Sequence, residues 1–218
     1  MICFLGMSHA PQTLAAAARK KNLDVTDDPA KADVIFIAED TPTNANGERD
    51  LGHIRALVGK AAAYKATLVL SSQVPPGFTR SLGLRRIVHM AETLRIKDAM
   101  ERALHPEQFI FGVNRGQDVP MNLLYYAWAH GGAKVCIMSW EEAEFAKIAI
   151  NMFLAAQVDT TNRLSAAAAI VGADWKKVCD ALRCDKRIGS HAYLTPGRWQ
   201  DSTHLMRDSI TLEEIIAR

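Results

Sequence analysis

The sequence predicts an α/β protein in two parts: a small parallel-sheet domain over residues 1–138 and a helical domain over 139–218, built on one long central helix. Uninterrupted apolar runs at residues 2–5, 34–38 and 66–72 have the length and composition of strands covered on both faces, as parallel sheets require. Segments with helical spacing alternate with those runs, which argues for an open α/β sheet. From Trp140 the strands stop, and residues 141–170 form one helical stretch whose apolar side chains occupy more than one face.

Ile2-Cys3-Phe4-Leu5 ends at Gly6, and HAPQTLAAAARKKN after it is an Ala-rich helix. A short Asp-rich link leads into VIFIA, the second apolar strand. Residues 51–64 predict a helix, ATLVLSS a third strand, and residues 77–94 a further helix. Crossovers between parallel strands should be right-handed. Beyond the long helix, residues 174–182 and 211–217 predict two short helices.

Composition excludes several function classes. At 218 residues and 49% hydrophobic the chain can bury a sizeable core. Its net charge is +2 and its longest basic run is Arg19-Lys20-Lys21, so nucleic-acid binding has little electrostatic support. Cys3, Cys136, Cys179 and Cys184 form no CxxC pair and no metal-like spacing with histidine, which implies no metal site and reduced thiols in a cytoplasmic protein. MICFLGM is too short for a signal peptide, and no run approaches the ~20 apolar residues of a membrane span.

The first strand–helix turn reads Gly6-Met7-Ser8-His9-Ala10-Pro11. A Rossmann-like dinucleotide domain places G-x-G-x-x-G here, so that backbone N–H groups approach a pyrophosphate at the helix N-terminus. Only Gly6 survives; Ser8 offers a hydroxyl instead, and Pro11 suits a first helical turn while removing an N–H. The acidic residue that should follow about 20 positions on to hold a ribose is not clearly present. Asp24, Asp27 and Asp28 are candidates, but an Asp-rich turn capping a helix explains them better.

Several further segments follow in a fixed order. Glu39-Asp40-Thr41-Pro42-Thr43 continues through Asn44, Ala45, Asn46 and Gly47 to Asp50-Leu51, a TPT…G…DL pattern at a strand end. Ser71-Ser72-Gln73-Val74-Pro75-Pro76-Gly77 lies at the next strand end, and His105-Pro106-Glu107-Gln108-Phe109 lies further on. The long helix carries AEFAKIAINMFLA, with Lys147 and Asn151 on one face. DKRIGSHAYLTPGRW precedes the last segment. Together these resemble the UDP-glucose/GDP-mannose dehydrogenase family.

That resemblance implies NAD as cofactor, a nucleotide sugar as substrate and a homodimer formed through the long helix. It implies cofactor contacts from Gly6, Ser8, Thr41, Pro42, Thr43, Ser72 and Gln73, with Gln73 at the place of a threonine. It implies catalytic roles for Glu107 in proton transfer and for Lys147 and Asn151 at a developing oxyanion. The family's nucleophilic cysteine falls on His204 here, with Arg207 and Asp208 at the places of its lysine and aspartate. Histidine forms no thioester, so four-electron oxidation by the family's route is not expected. Relative to the family, the second strand and the helices after it are shortened away, and Arg218 precedes the place where its last domain would begin. A non-catalytic nucleotide- or partner-binding relative, or half of a split enzyme completed by a partner subunit, are the alternative expectations.

Overall fold

The computed structural model describes residues 1–44 and 47–217, so Ala45 and Asn46 of the TPT…G…DL segment lie outside the described residues. The chain forms two compact units, Met1–Lys147 and Ile148–Arg218. The first alternates β1 (Ile2–Leu5), α1 (His9–Lys20), β2 (Val34–Ile37), α2 (Leu51–Ala61), β3 (Thr67–Leu70), α3 (Phe78–Ser81) and β4 (Ile87–Met90). It continues with α4 (Ala99–Leu104), β5 (Gln108–Val113), α5 (Met121–Ala129), β6 (Lys134–Ser139) and the start of α6 (Trp140–Ile170). The second holds the rest of α6, then α7 (Trp175–Cys184) and α8 (Thr203–Ile216).

The sheet runs β1-β2-β3-β4-β5-β6 and is parallel except where β4 meets β5. All four residues of β2 are buried, as expected of a strand covered on both faces. Phe36, Val69, Val88, Phe111, Leu123 and Tyr126 build the core on one face. Ile35, Ile37, Ile54, Leu70, Phe78 and Trp140 build it on the other. Gly112 on β5 lets α6 begin close by: a Cβ there would lie 2.7 Å from that of Ala143 and 3.0 Å from the Trp140 Cα.

The shortened second strand has left a trace. Ile2 donates its N–H to the Asp24 carbonyl (2.7 Å) and accepts from Thr26 N–H (2.9 Å), making a single parallel bridge at Val25. β1 is thus nearly an edge, and the part of a dinucleotide fold that would lie beyond it is one residue wide. Asp28 caps the 3-10 turn Pro29–Lys31 by accepting from Ala30 N–H, the local role expected of it.

Two expectations need correction. Residues 77–94 are not one helix: Gly77 and Gly83 adopt left-handed φ of +92° and +68°, which limits α3 to one turn, and the chain re-enters the sheet as β4. The final helix starts at Thr203, not at residue 211, because Ser202 caps it by accepting from Leu205 N–H. His204, Arg207 and Asp208 therefore sit on a helix.

The stretch between α7 and α8 is stitched to α6 although it has little regular structure. Thr161 donates to the Tyr193 carbonyl (2.7 Å), Gln157 accepts from Tyr193 N–H (2.9 Å), and Asn162 exchanges two bonds with Gly197. Trp199 donates its indole N–H to Asp159 (2.8 Å).

Candidate active site

Ligands of open α/β sheets gather at the carboxyl ends of the strands. Here those ends bring together the turn after β1, the loops after β2 and β3, and the segment leaving β4. Because β5 is antiparallel to β4, its entry from His105 to Glu107 lies at the same edge of the sheet.

The two matched loops are tied to each other. Thr41, buried, donates its hydroxyl to the Gln73 carbonyl (2.7 Å), and Ser71 and Ser72 N–H groups both donate to the Ile37 carbonyl. Thr43 donates to Thr41 O (3.2 Å), and Pro42 O accepts from Asp50 N–H (2.7 Å), which places Asp50 to cap α2. Thr41, Pro42, Thr43, Ser72 and Gln73 are thus held as one strand-end platform.

The turn after β1 is occupied from within. The Glu39 carboxylate, at the end of β2, accepts from Met7 N–H, from Ser8 N–H (3.1 Å) and from Asp40 N–H (3.1 Å). Ser8 Oγ accepts in turn from Asp40 N–H (3.1 Å). Gly6, at φ +137°, leaves the space that Glu39 fills: a Cβ there would stand 3.1 Å from Glu39 Oε2 and 3.0 Å from Pro11 Cγ. Burial pushes the Glu39 carboxyl up, but the N–H groups of Met7 and Asp40, the Ser8 side chain and the charge of His53 outweigh it and hold it below the usual carboxylate range. The N–H groups expected to cradle a pyrophosphate are engaged by this carboxylate.

Glu92, leaving β4, is the opposite case. It accepts from Leu94 N–H and lies near enough to Lys147 to feel its charge. Burial drives its carboxyl above the ordinary range against the pull of Lys147, Leu94 N–H and Arg102, and Asp40 adds to the rise. Glu107, by contrast, has a side chain 77% exposed and pairs with Arg102 at 3.5 Å, while Arg102 also donates to Thr93 O. Glu92 escaped the sequence reading because its meaning depends on Lys147, far along the chain. The signal available was a Glu two residues past a short apolar run.

Glu144 is buried one turn before Lys147. Its oxygens accept from Gly77 N–H (2.6 Å) and Thr79 N–H (2.7 Å), fixing the loop after β3 to α6.

In the second unit Asn151 and Asp208, both buried, share a hydrogen bond of 2.7 Å from the amide Nδ2 to the carboxylate. Arg207, also buried, contacts His204 Nδ1 at 3.1 Å. A guanidinium only donates, so Nδ1 accepts and the His204 ring carries its proton on Nε2. The Asn151–Asp208 bond thus ties α6 to α8 within the second unit, with His204 one turn before Asp208 on α8. Cys179 donates its thiol to Leu194 O (3.6 Å), and all four cysteines are free. Among the described residues, no group of acidic, cysteine or histidine side chains could hold a metal ion.

A mostly parallel sheet with paired strand-end loops, followed by a unit built on one long helix, defines a dinucleotide-fold dehydrogenase architecture. The chain belongs to the UDP-glucose/GDP-mannose dehydrogenase family, whose NAD binding domain matches residues 8–128 and whose central domain matches residues 141–216. It carries that family's NAD-binding domain, and NAD is its cofactor. It is 28% identical over 197 residues to the UDP-glucose 6-dehydrogenase of Rickettsia bellii, covering 84% of this chain and 45% of that protein. It is 31% identical over 180 residues to the UDP-glucose 6-dehydrogenase of Pseudomonas aeruginosa, covering 74% of this chain and 40% of that protein. The chain thus spans less than half the length of these relatives. Its fold is similar to that of a UDP-glucose dehydrogenase from Pyrobaculum islandicum, with a TM-score of 0.71 at 22% identity over 97% of this chain and 67% of the other. No helix among the described residues is long and apolar enough to cross a membrane.

Proposed function

We propose that this chain oxidises a CH–OH group of a nucleotide sugar in an NAD-dependent, two-electron reaction and stops at the carbonyl. The desolvated Glu92 carboxyl after β4, which feels the charge of Lys147 on α6, carries this reading. Glu92, with its raised carboxyl, takes the hydroxyl proton as the C–H bond breaks, and the Lys147 ammonium stabilises the oxygen that becomes a carbonyl. NAD, when bound, accepts the hydride. Within the second unit, Asp208 fixes the orientation of the Asn151 amide on α6. The absence of a second, acid-forming oxidation follows from a histidine at the place where the family resemblance puts the nucleophilic cysteine.

The test is the stoichiometry of NADH formed against substrate consumed, with UDP-glucose as the first substrate. About one NADH per sugar is the two-electron outcome; two would contradict it. A homodimer formed through α6 belongs to the same proposal: Phe153 is 75% exposed there, and Leu164 is exposed on nearly the same face three turns on. A monomer by light scattering at micromolar concentration would contradict it. Four free thiols support a cytoplasmic location.

A second reading, a relative that binds but does not turn over, is favoured by one observation, the Glu39 carboxylate lodged in the turn after β1. Binding of the nucleotide sugar without NADH formation would support it.

A further inference from the structure

We infer that Glu39 is a built-in competitor for the dinucleotide, its carboxylate holding the α1 N-terminal amides that the pyrophosphate of NAD would need. The inference rests on the reading of this turn as an NAD site. Its support is geometric. Met7 and Ser8 N–H groups converge on the two Glu39 oxygens, Asp40 N–H closes the ring onto both Glu39 and Ser8 Oγ, and the hollow left by Gly6 is filled by Glu39 itself. A helix N-terminus attracts one anion well, through N–H donors and the positive end of its dipole. A diphosphate arriving there meets a charge of its own sign and donors already used. Dinucleotide binding therefore requires the Glu39 side chain to swing out. Only 9% of the residue is exposed, so its departure also opens the hollow beneath Gly6. The same carboxylate explains how the turn tolerates Ser8 and Pro11 in place of two glycines: the turn is stabilised by an internal anion and closed to an external one.

The experiment is calorimetric titration of the full chain and of its Glu39→Ala and Glu39→Gln variants, with NADH and separately with inorganic pyrophosphate. Thermal melting of each variant establishes that it is folded, and Gln keeps the volume while removing the charge. We expect both variants to bind NADH about tenfold tighter than the unaltered chain, or more, as two charge-assisted bonds become available. Pyrophosphate binding gained by the variants without NADH binding would still support Glu39 as the occupant while ending the reading of this turn as an NAD site. Equal NADH affinity in all three proteins would overturn the inference and leave the NAD reading standing. Folded variants that bind neither ligand would overturn the inference, since removing the competitor would have freed nothing.

Discussion

Two glutamates stand at the strand ends on either side of β3, and their surroundings push them in opposite directions. Glu39, after β2, receives backbone N–H groups from Met7, Ser8 and Asp40 and is held ionised. Glu92, after β4, receives one, from Leu94, and burial drives it toward its neutral form despite Lys147. The lesson is that burial and the donors at the oxygens act in opposite directions, and their balance separates an anchored carboxylate from one fit to exchange a proton. Glu144 marks the boundary between them: two N–H groups reach it, yet burial still wins and its carboxyl is raised.

The largest expected effect comes from breaking the reactive member of the comparison. Glu92→Gln should lower kcat by about 10²-fold or more, and Lys147→Ala by a similar factor, while Glu107→Gln changes kcat by no more than a few-fold. Steady-state NAD reduction with UDP-glucose reads all three. A large loss at Glu107 with none at Glu92 would reverse the assignment.

The anchored side of the comparison is tested by stability. Glu144→Ala leaves the Gly77 and Thr79 amides without their acceptor and should cost about 1–3 kcal/mol in denaturant unfolding, without a specific pH dependence of kcat. A variant as stable as the parent would show that water replaces the carboxylate without penalty.

His89 isolates burial from donors. It is fully buried in β4, its Nδ1 lacks a partner among the described residues, and burial holds its pKa down to about 3. The folded state keeps it neutral while the unfolded chain protonates near 6.5, so its stabilising contribution is complete above about pH 6.5 and declines as pH falls toward 3. The slope is up to about 1.4 kcal/mol per pH unit. Thermal melts of His89→Leu across that window should show a shallower fall than the parent; parallel curves would contradict the effect.

Much of the sheet was legible in the sequence because β1, β2 and β3 are unbroken apolar runs, and the long helix because it has no breaker until Gly172. β4 was hidden because His89 interrupts its apolar character and the sequence around Gly77 reads as a helix start. β5 and β6 passed unassigned although residues 109–113 and 135–138 are apolar runs of strand length; β6, at the sheet edge, is only partly buried. In the candidate site, Lys147, Asn151 and Asp208 could be picked out because each sits at a matched spacing, and the Asn151–Asp208 bond joins two of them. Glu92 and Glu39 could not, since what distinguishes them is which amides and charges the fold brings to their oxygens. Pro106 made Glu107 conspicuous by its local sequence, yet its carboxylate faces solvent beside Arg102.

The most direct test of the contrast is a site-resolved NMR titration of the side-chain carboxyl carbons of Glu39 and Glu92 in one sample of the unaltered chain. The account predicts that Glu39 titrates below the usual glutamate value of 4.5 and Glu92 above it. Coincident titrations, or the reverse order, would contradict it.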